Sequence, residues 1–188
     1  MKILPCDESS LATAADILLS GGVAVIPTDT VYGLAAHPSF PSAVERLYTI
    51  KGREAKKPIA LLADSTNSVR SFLGGTLPPG SEAIAARHWP GALTLVLPKG
   101  DVFEGLRVPA HEWTRRLLAR CGGVLRVTSA NLSGRRPATD APSALADVGL
   151  SADVVLDDGI SPGGVPSTVA RIDESGSTTI LRQGAVNL

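Results

Sequence analysis

Val23-Ala24-Val25-Ile26-Pro27-Thr28-Asp29-Thr30-Val31-Tyr32-Gly33-Leu34 changes character at Pro27. Four apolar residues read as a short buried strand, and the proline stops it. Hydroxyls and a carboxylate then follow on a tight loop, Thr28 to Leu34. A polar loop directly after a buried strand is where α/β sheets bind ligands. The same residues also have a plain local use, because Thr and Asp side chains satisfy their own backbone in turns.

Apolar spacing extends the pattern in both directions. Asp7 to Ser20 puts Leu11, Ala14, Ala15, Leu18 and Leu19 on one helical face, and Gly21-Gly22 ends it. Helices are predicted over Phe40 to Ile50, Asp64 to Phe72, Ser81 to Trp89, His111 to Cys121 and Ala141 to Ala146. Strands are predicted at Pro58 to Ala63, Ala92 to Leu97, Leu106 to Val108, Val124 to Thr128, Val154 to Leu156, Thr168 to Ile172 and Thr179 to Leu181. Alternating strands and helices give an α/β class. The connections 98–105, 157–167 and 173–178 are too short for a crossover helix and demand antiparallel neighbours. The expectation is one domain over residues 1–188, a twisted mixed parallel/antiparallel sheet with flanking helices.

Composition removes several function classes. The 188 residues carry 18 basic and 18 acidic side chains, so no global field favours nucleic acid or membrane. The neutral total hides a pattern, however: residues 1–44 carry −3, residues 45–136 carry +8 and residues 137–188 carry −5. The central excess reads either as a solvated basic surface or as a local anion site. Two cysteines, Cys6 and Cys121, have no metal-like spacing and read as reduced thiols of a cytoplasmic protein. The N-terminus turns polar too early for a signal peptide, and no apolar run approaches a bilayer span. His37, His88 and His111 form no HExxH, and there is no GxSxG, Walker A or GxGxxG string.

Three polar clusters follow strands or helices. The first is Thr28 to Tyr32. The second is Lys51, Arg53, Lys56 and Lys57, with Arg46 a turn earlier; such a group needs an anion or water to screen it. The third is Ser129-Ala130-Asn131, where alternation puts Ser129 and Asn131 on one side if the chain stays extended. Arg107 and Arg182 each end a strand, and Ser167-Thr168 follow the Gly/Pro loop 162–166. Each has an ordinary alternative: a basic surface loop, a helix cap or a surface ion pair.

In order, Pro27 to Leu34, Lys51-Gly52-Arg53, Trp89-Pro90-Gly91-Ala92-Leu93-Thr94, Ser129 to Gly134 and Pro166-Ser167-Thr168-Val169 resemble the YrdC/Sua5 family. The resemblance runs from about Leu11 to Gly184, and the chain is similar to the short type without the Sua5 C-terminal domain. It implies a sheet curled around a large basic cavity and a threonylcarbamoyl-AMP synthase, a nucleotidyltransferase. The substrates implied are L-threonine, bicarbonate and ATP with Mg2+, the latter held by ATP and water. The product would feed downstream t6A-transfer proteins that modify tRNA, with direct tRNA binding possible and no membrane partner. Matching residue by residue, the family's KxR and SxN tetrad falls on Lys51, Arg53, Ser129 and Asn131. ATP contacts would be Arg53, Lys57, Asn131, Thr139 and Arg182. Threonine contacts would be Thr30, Arg107, Ser129 and Ser167. Four positions depart from the family pattern: Glu54 where proline is common, Leu62 in place of a histidine, Pro166 in place of a glutamate, and Gln183 in the terminal Arg-Pro-Gly.

Two rivals share the sequence features. One is a YciO-like paralogue acting on another carbamoyl or acyl substrate. The other is a non-catalytic RNA-binding module, against which the seven aromatic residues argue, because base stacking needs more.

Overall fold

The computed structural model describes residues 2–54 and 57–188, with Gly149 by its backbone alone. Helices are α1 (Glu8–Leu19), α2 (Pro41–Lys51), α3 (Thr66–Leu73), α4 (Ser81–His88), α5 (Glu112–Arg120) and α6 (Ala141–Asp147). Strands are β1 (Lys2–Pro5), β2 (Val23–Ile26), β3 (Gly33–Ala36), β4 (Leu61–Ala63), β5 (Leu93–Lys99), β6 (Val102–Arg107), β7 (Val124–Ser129), β8 (Val154–Asp157), β9 (Thr168–Ile172) and β10 (Thr178–Arg182). They form one mixed sheet in the order β1-β8-β2-β3-β7-β4-β6-β5-β9-β10. Pairs β1–β8, β2–β8, β4–β6 and β5–β9 are parallel, and the rest antiparallel.

The period-2 alternation of these strands sorts side chains onto two faces. On one face, Ala24, Ile26, Ala35, Leu125 and Val127 pack under α1 and α5 through Leu11, Leu18, Leu117 and Leu118. On the other, Val23, Val25, Leu34 and Ala36 meet α2 and α6, and Leu61, Leu93, Leu95 and Leu106 meet α3 and α4 through Val69 and Ala85. Helices α1 and α5 cover the first face over the β8-to-β4 half. Further along, Leu62, Gly105, Arg107, Thr94, Val96 and Val169 keep the same parity and line a cavity instead.

Four expectations need correction. The loop read over Thr28 to Leu34 stops short, because Gly33 opens strand β3. Its Gly-Leu-Ala-Ala sequence has no β-branched residue, and pairing with both β2 and β7 sets its conformation. The connection 98–105 is mostly strand. A two-residue turn at Gly100-Asp101, with φ +56° at Gly100, joins β5 to β6, and Pro98 is tolerated beyond the Leu93–Val96 stretch that β9 pairs. The connection 157–167 is not a hairpin, since β8 and β9 lie far apart in the sheet. The strand expected from Pro58 begins only at Leu61, and β1 and a 3₁₀ turn at Gly149–Ser151 complete the structure.

Candidate active site

Strand ends and loop turns deliver polar groups to one cavity of about 430 Å³. Its wall includes Thr28, Thr30, Arg53, Leu62, Thr94, Arg107, Ser129, Pro137, Pro166, Ser167 and Arg182, and among the described residues no acidic one lines it. Three guanidiniums and a set of hydroxyls with no carboxylate beside them make a site for an anion carrying polar substituents.

Arg107 closes strand β6 and is buried. Its Nε donates to the Gly91 carbonyl at 2.9 Å, Nη1 to Thr30 Oγ1 at 2.9 Å and Nη2 to Asp29 Oδ1 at 2.5 Å. Burial lowers its pKa and the Asp29 carboxylate opposes that shift. Thr30 is held in turn by Thr28, whose hydroxyl lies 3.0 Å from Thr30 Oγ1, accepts from the amides of Thr30 and Val31 and donates to the Val31 carbonyl. The polar turn after β2 therefore serves its own backbone and the cavity together.

Ser167 Oγ shares a 2.8 Å hydrogen bond with Thr94 Oγ1. Thr94 had no role in the sequence reading. Its signal was available: it is a hydroxyl inside the apolar run Ala92 to Leu97. Arg182 Nη2 and Nε both donate to the Ser167 carbonyl, at 2.7 and 3.2 Å. Burial, then the nearby Arg53 charge, lowers the Arg182 pKa. The following Gly184 packs tightly, because an added Cβ would lie 2.3 Å from the Pro166 oxygen and 2.5 Å from the Thr168 nitrogen. Gly184→Ala is therefore expected to displace the Ser167 backbone and destabilise the fold by about 1–3 kcal/mol. A urea titration checks this, and an unchanged midpoint would contradict the packing.

Lys51 and Arg53 diverge although they are two residues apart. Helix α2 ends at Gly52 in the left-handed region, φ +58°, which glycine alone takes without strain. Lys51, the last helical residue, turns inward. Its Nζ donates to the carbonyls of Ser129 and Asn131, the latter at 2.6 Å, and sits 3.4 Å from Ser129 Oγ and Asn131 Oδ1. It clamps the turn after β7 and is not part of the cavity wall. Burial, then Arg53, pushes its ammonium down to about 8. The sign follows from linkage: below about pH 8 the charged form is held at a penalty. Between about 8 and 10.5 the unfolded chain binds more protons, so this group adds stability as pH rises, while the site loses a cation. Arg53 emerges into the cavity wall, held by the carbonyls of Lys57 and Pro58 at 3.1 and 3.2 Å.

The other candidates separate. Ser129 ends β7 in the wall, opposite Gly33. The chain turns there, with the Asn131 amide donating to the Ser129 carbonyl at 3.0 Å, so the extended arrangement that would align Ser129 with Asn131 does not form. Asn131 Nδ2 instead donates to the carbonyls of Leu132 and Arg135, both at 2.8 Å. Thr139 lines an adjoining cavity of about 580 Å³, with Arg135, Arg136, Ser143 and Asp147; Pro137 borders both spaces. Lys57 is exposed and pairs with Glu54 at 3.4 Å, outside the wall. Lys56 lies outside the described residues.

The basic central segment is not one surface. Arg46 pairs with Asp153, Arg116 and Arg120 with Glu8, Arg126 with Glu104 and Arg135 with Asp147. Among the described residues, the bases of that segment in the cavity wall are Arg53 and Arg107, and the third arginine, Arg182, comes from the acidic end. Among the described residues, no group of three or more His, Cys, Asp or Glu gathers to hold a metal, and no helix is long and apolar enough to cross a membrane. Cys6 and Cys121 are free thiols.

Comparison with known proteins shows the family and the fold. The family model for Sua5, YciO and YrdC, described as telomere recombination, matches residues 16–184. The threonylcarbamoyl-AMP synthase of Pyrococcus abyssi is 33% identical over 97% of this chain, which spans 56% of that protein. A putative threonylcarbamoyl-AMP synthase of Mycobacterium tuberculosis is 33% identical over 94% of this chain and 85% of its own length. The crystal structure of P. abyssi Sua5 complexed with L-threonine superposes with a TM-score of 0.90 at 31% identity, covering 98% of this chain and 58% of that one.

Proposed function

Because the chain belongs to the Sua5/YciO/YrdC family, we propose that it is an L-threonylcarbamoyladenylate synthase, a nucleotidyltransferase joining L-threonine, bicarbonate and ATP. The observation that carries this reading is the single cavity wall shared by Arg107, Thr30, Ser167 and Ser129 on one hand and Arg53 and Arg182 on the other.

The chemistry needs positioning more than a protein nucleophile. The threonine amine takes up bicarbonate, releasing water, to give an N-carboxylate. An oxygen of that carboxylate attacks the α-phosphorus of ATP, and pyrophosphate leaves with the electrons of the broken P–O bond. The substrate brings its own nucleophile, so the protein aligns the partners and stabilises charge. Arg107 takes the threonine carboxylate, and Thr30, Ser129 and Ser167 take its polar groups. Thr94 steadies Ser167. Arg53 and Arg182 neutralise the phosphates. Lys51 and Asn131 hold the turn that presents Ser129. The nucleotide extends past Pro137 toward Thr139, and Lys57 meets the outer phosphates. Leu62 and Pro166 form apolar wall, so substrate orientation rests more heavily on Arg107 and the hydroxyls.

Among the described residues no group of three or more His, Cys, Asp or Glu gathers, so Mg2+ would arrive with ATP and be held by phosphates and water. The ion would screen phosphate charge, and Arg53 and Arg182 act on the remaining oxygens. A cytoplasmic place, with the product passed to t6A-transfer proteins for tRNA, completes the proposal.

Pyrophosphate release from ATP and Mg2+ tests it by omission. Release is expected to require both threonine and bicarbonate. Threonine-independent release would point to a YciO-like activity on another substrate. RNA binding without release would point to a binding module.

A further inference from the structure

Resting on the synthase reading, we propose that Asp29 is a positioning residue for the substrate carboxylate: its own carboxylate orients the Arg107 guanidinium, and Gly163 of the crossing loop fixes Asp29 in place.

A guanidinium has five N–H groups. Arg107 commits three of them, to the Gly91 carbonyl, Thr30 Oγ1 and Asp29 Oδ1. One N–H remains on each terminal nitrogen, the number a bidentate carboxylate takes. Among these partners Asp29 alone carries charge. The two side chains are 7% and 10% exposed, so water does little to screen or replace the pair. Thr28, Thr30 and Val31 line the cavity and Asp29 does not. Its carboxylate therefore holds Arg107 from outside the wall without competing for the substrate's position.

Asp29 is itself held from its other side. The loop between β8 and β9 crosses here, and the Gly163 amide donates to the Asp29 carbonyl at 3.1 Å. A Cβ on residue 163 would lie 2.6 Å from that carbonyl oxygen and 3.1 Å from Thr30 Cα. Gly163 has no positive φ, so its glycine serves close approach rather than a turn. The loop is pinned at three places just before this contact. His111 Nε2 lies 3.2 Å from Asp158 Oδ2, the Tyr32 hydroxyl donates to the Gly159 carbonyl at 2.7 Å, and the Ser161 amide donates to the Thr139 carbonyl at 2.7 Å. One loop thus joins the second cavity at Thr139 to the carboxylate site at Asp29.

Asp29→Asn keeps the side-chain shape and removes the charge, while Gly163→Ala leaves the charge and crowds the carbonyl. In steady-state pyrophosphate release, Asp29→Asn is expected to raise the threonine KM about tenfold or more, with kcat and the ATP KM within about twofold. Gly163→Ala is expected to act in the same direction, less strongly. The Arg107 Nε–H resonance of the ligand-free protein should move toward the position of exposed arginines in both variants. An unchanged resonance, an unchanged threonine KM, or an ATP KM that rises as much as the threonine KM would overturn the proposal, since a general structural role would move both. If Asp29→Asn does not fold, Gly163→Ala carries both measurements. If the wild-type protein releases no threonine-dependent pyrophosphate, the synthase reading fails, and the resonance still decides whether Asp29 orients Arg107.

Discussion

Arg107→Ala is expected to lower kcat/KM for threonine by at least about a hundredfold, roughly 2.7 kcal/mol of transition-state stabilisation. Two effects add. The substrate carboxylate loses a charged, two-pronged donor in a water-poor wall. Asp29, 10% exposed and paired with Arg107, is left as a buried carboxylate without its counter-ion. Removing one partner of a buried pair costs about 3–5 kcal/mol, so the variant should also unfold at lower urea. Arg107→Lys should recover little, because an ammonium cannot reach the Gly91 carbonyl, Thr30, Asp29 and a substrate from one point. Kinetics and urea titration on both variants check this. Near-normal kcat/KM in either would contradict the placing of the threonine carboxylate at Arg107.

Lys51→Ala and Arg53→Ala should differ, although the two residues are separated by one glycine. Both are expected to lower turnover at least about tenfold, or 1.4 kcal/mol. Lys51→Ala should in addition destabilise the protein by about 2 kcal/mol or more, because the carbonyls of Ser129 and Asn131 lose a buried donor. Arg53→Ala should leave stability within about 0.5 kcal/mol, since among the described residues its hydrogen bonds go to the Lys57 and Pro58 carbonyls of its own loop. A pH profile adds a second reading. Wild-type turnover should decline as pH rises through about 8, where Lys51 loses its proton, and that limb should be absent in Lys51→Met. Equal stability of Lys51→Ala and wild type would contradict the clamp.

The elements legible in the sequence are those whose own residues set their conformation. Helix α1 carries its stripe of Leu11, Ala14 and Leu18 and its Asp7 cap, which accepts from the Ser10 amide at 2.8 Å. Strand β3 was hidden because Gly-Leu-Ala-Ala has no strand preference, and two neighbours impose one. The site shows the same division. Thr30 follows a strand, Arg107 and Ser129 end strands and Ser167 directly precedes one, where sequence placed them, and they line one cavity. Spacing alone could not separate Lys51 from Arg53, because their divergence depends on the left-handed turn at Gly52. It could not recruit Arg182 either. That residue reaches the wall only because β9 pairs with β5 and carries β10 alongside. The charge blocks misled in part: most of the central arginines are matched by acids from distant segments, such as Arg46 by Asp153 and Arg120 by Glu8.

One cavity is proposed to join the bicarbonate carbon to the threonine nitrogen and, through a carboxylate oxygen, to the adenylate phosphorus. The most direct measurement is the mass of the nucleotide formed from ATP, L-threonine and 13C-bicarbonate with Mg2+. The account predicts an adenylate heavier than AMP by a threonylcarbamoyl group containing a single 13C. Free AMP with pyrophosphate, or an adenylate without the labelled carbon, would contradict it.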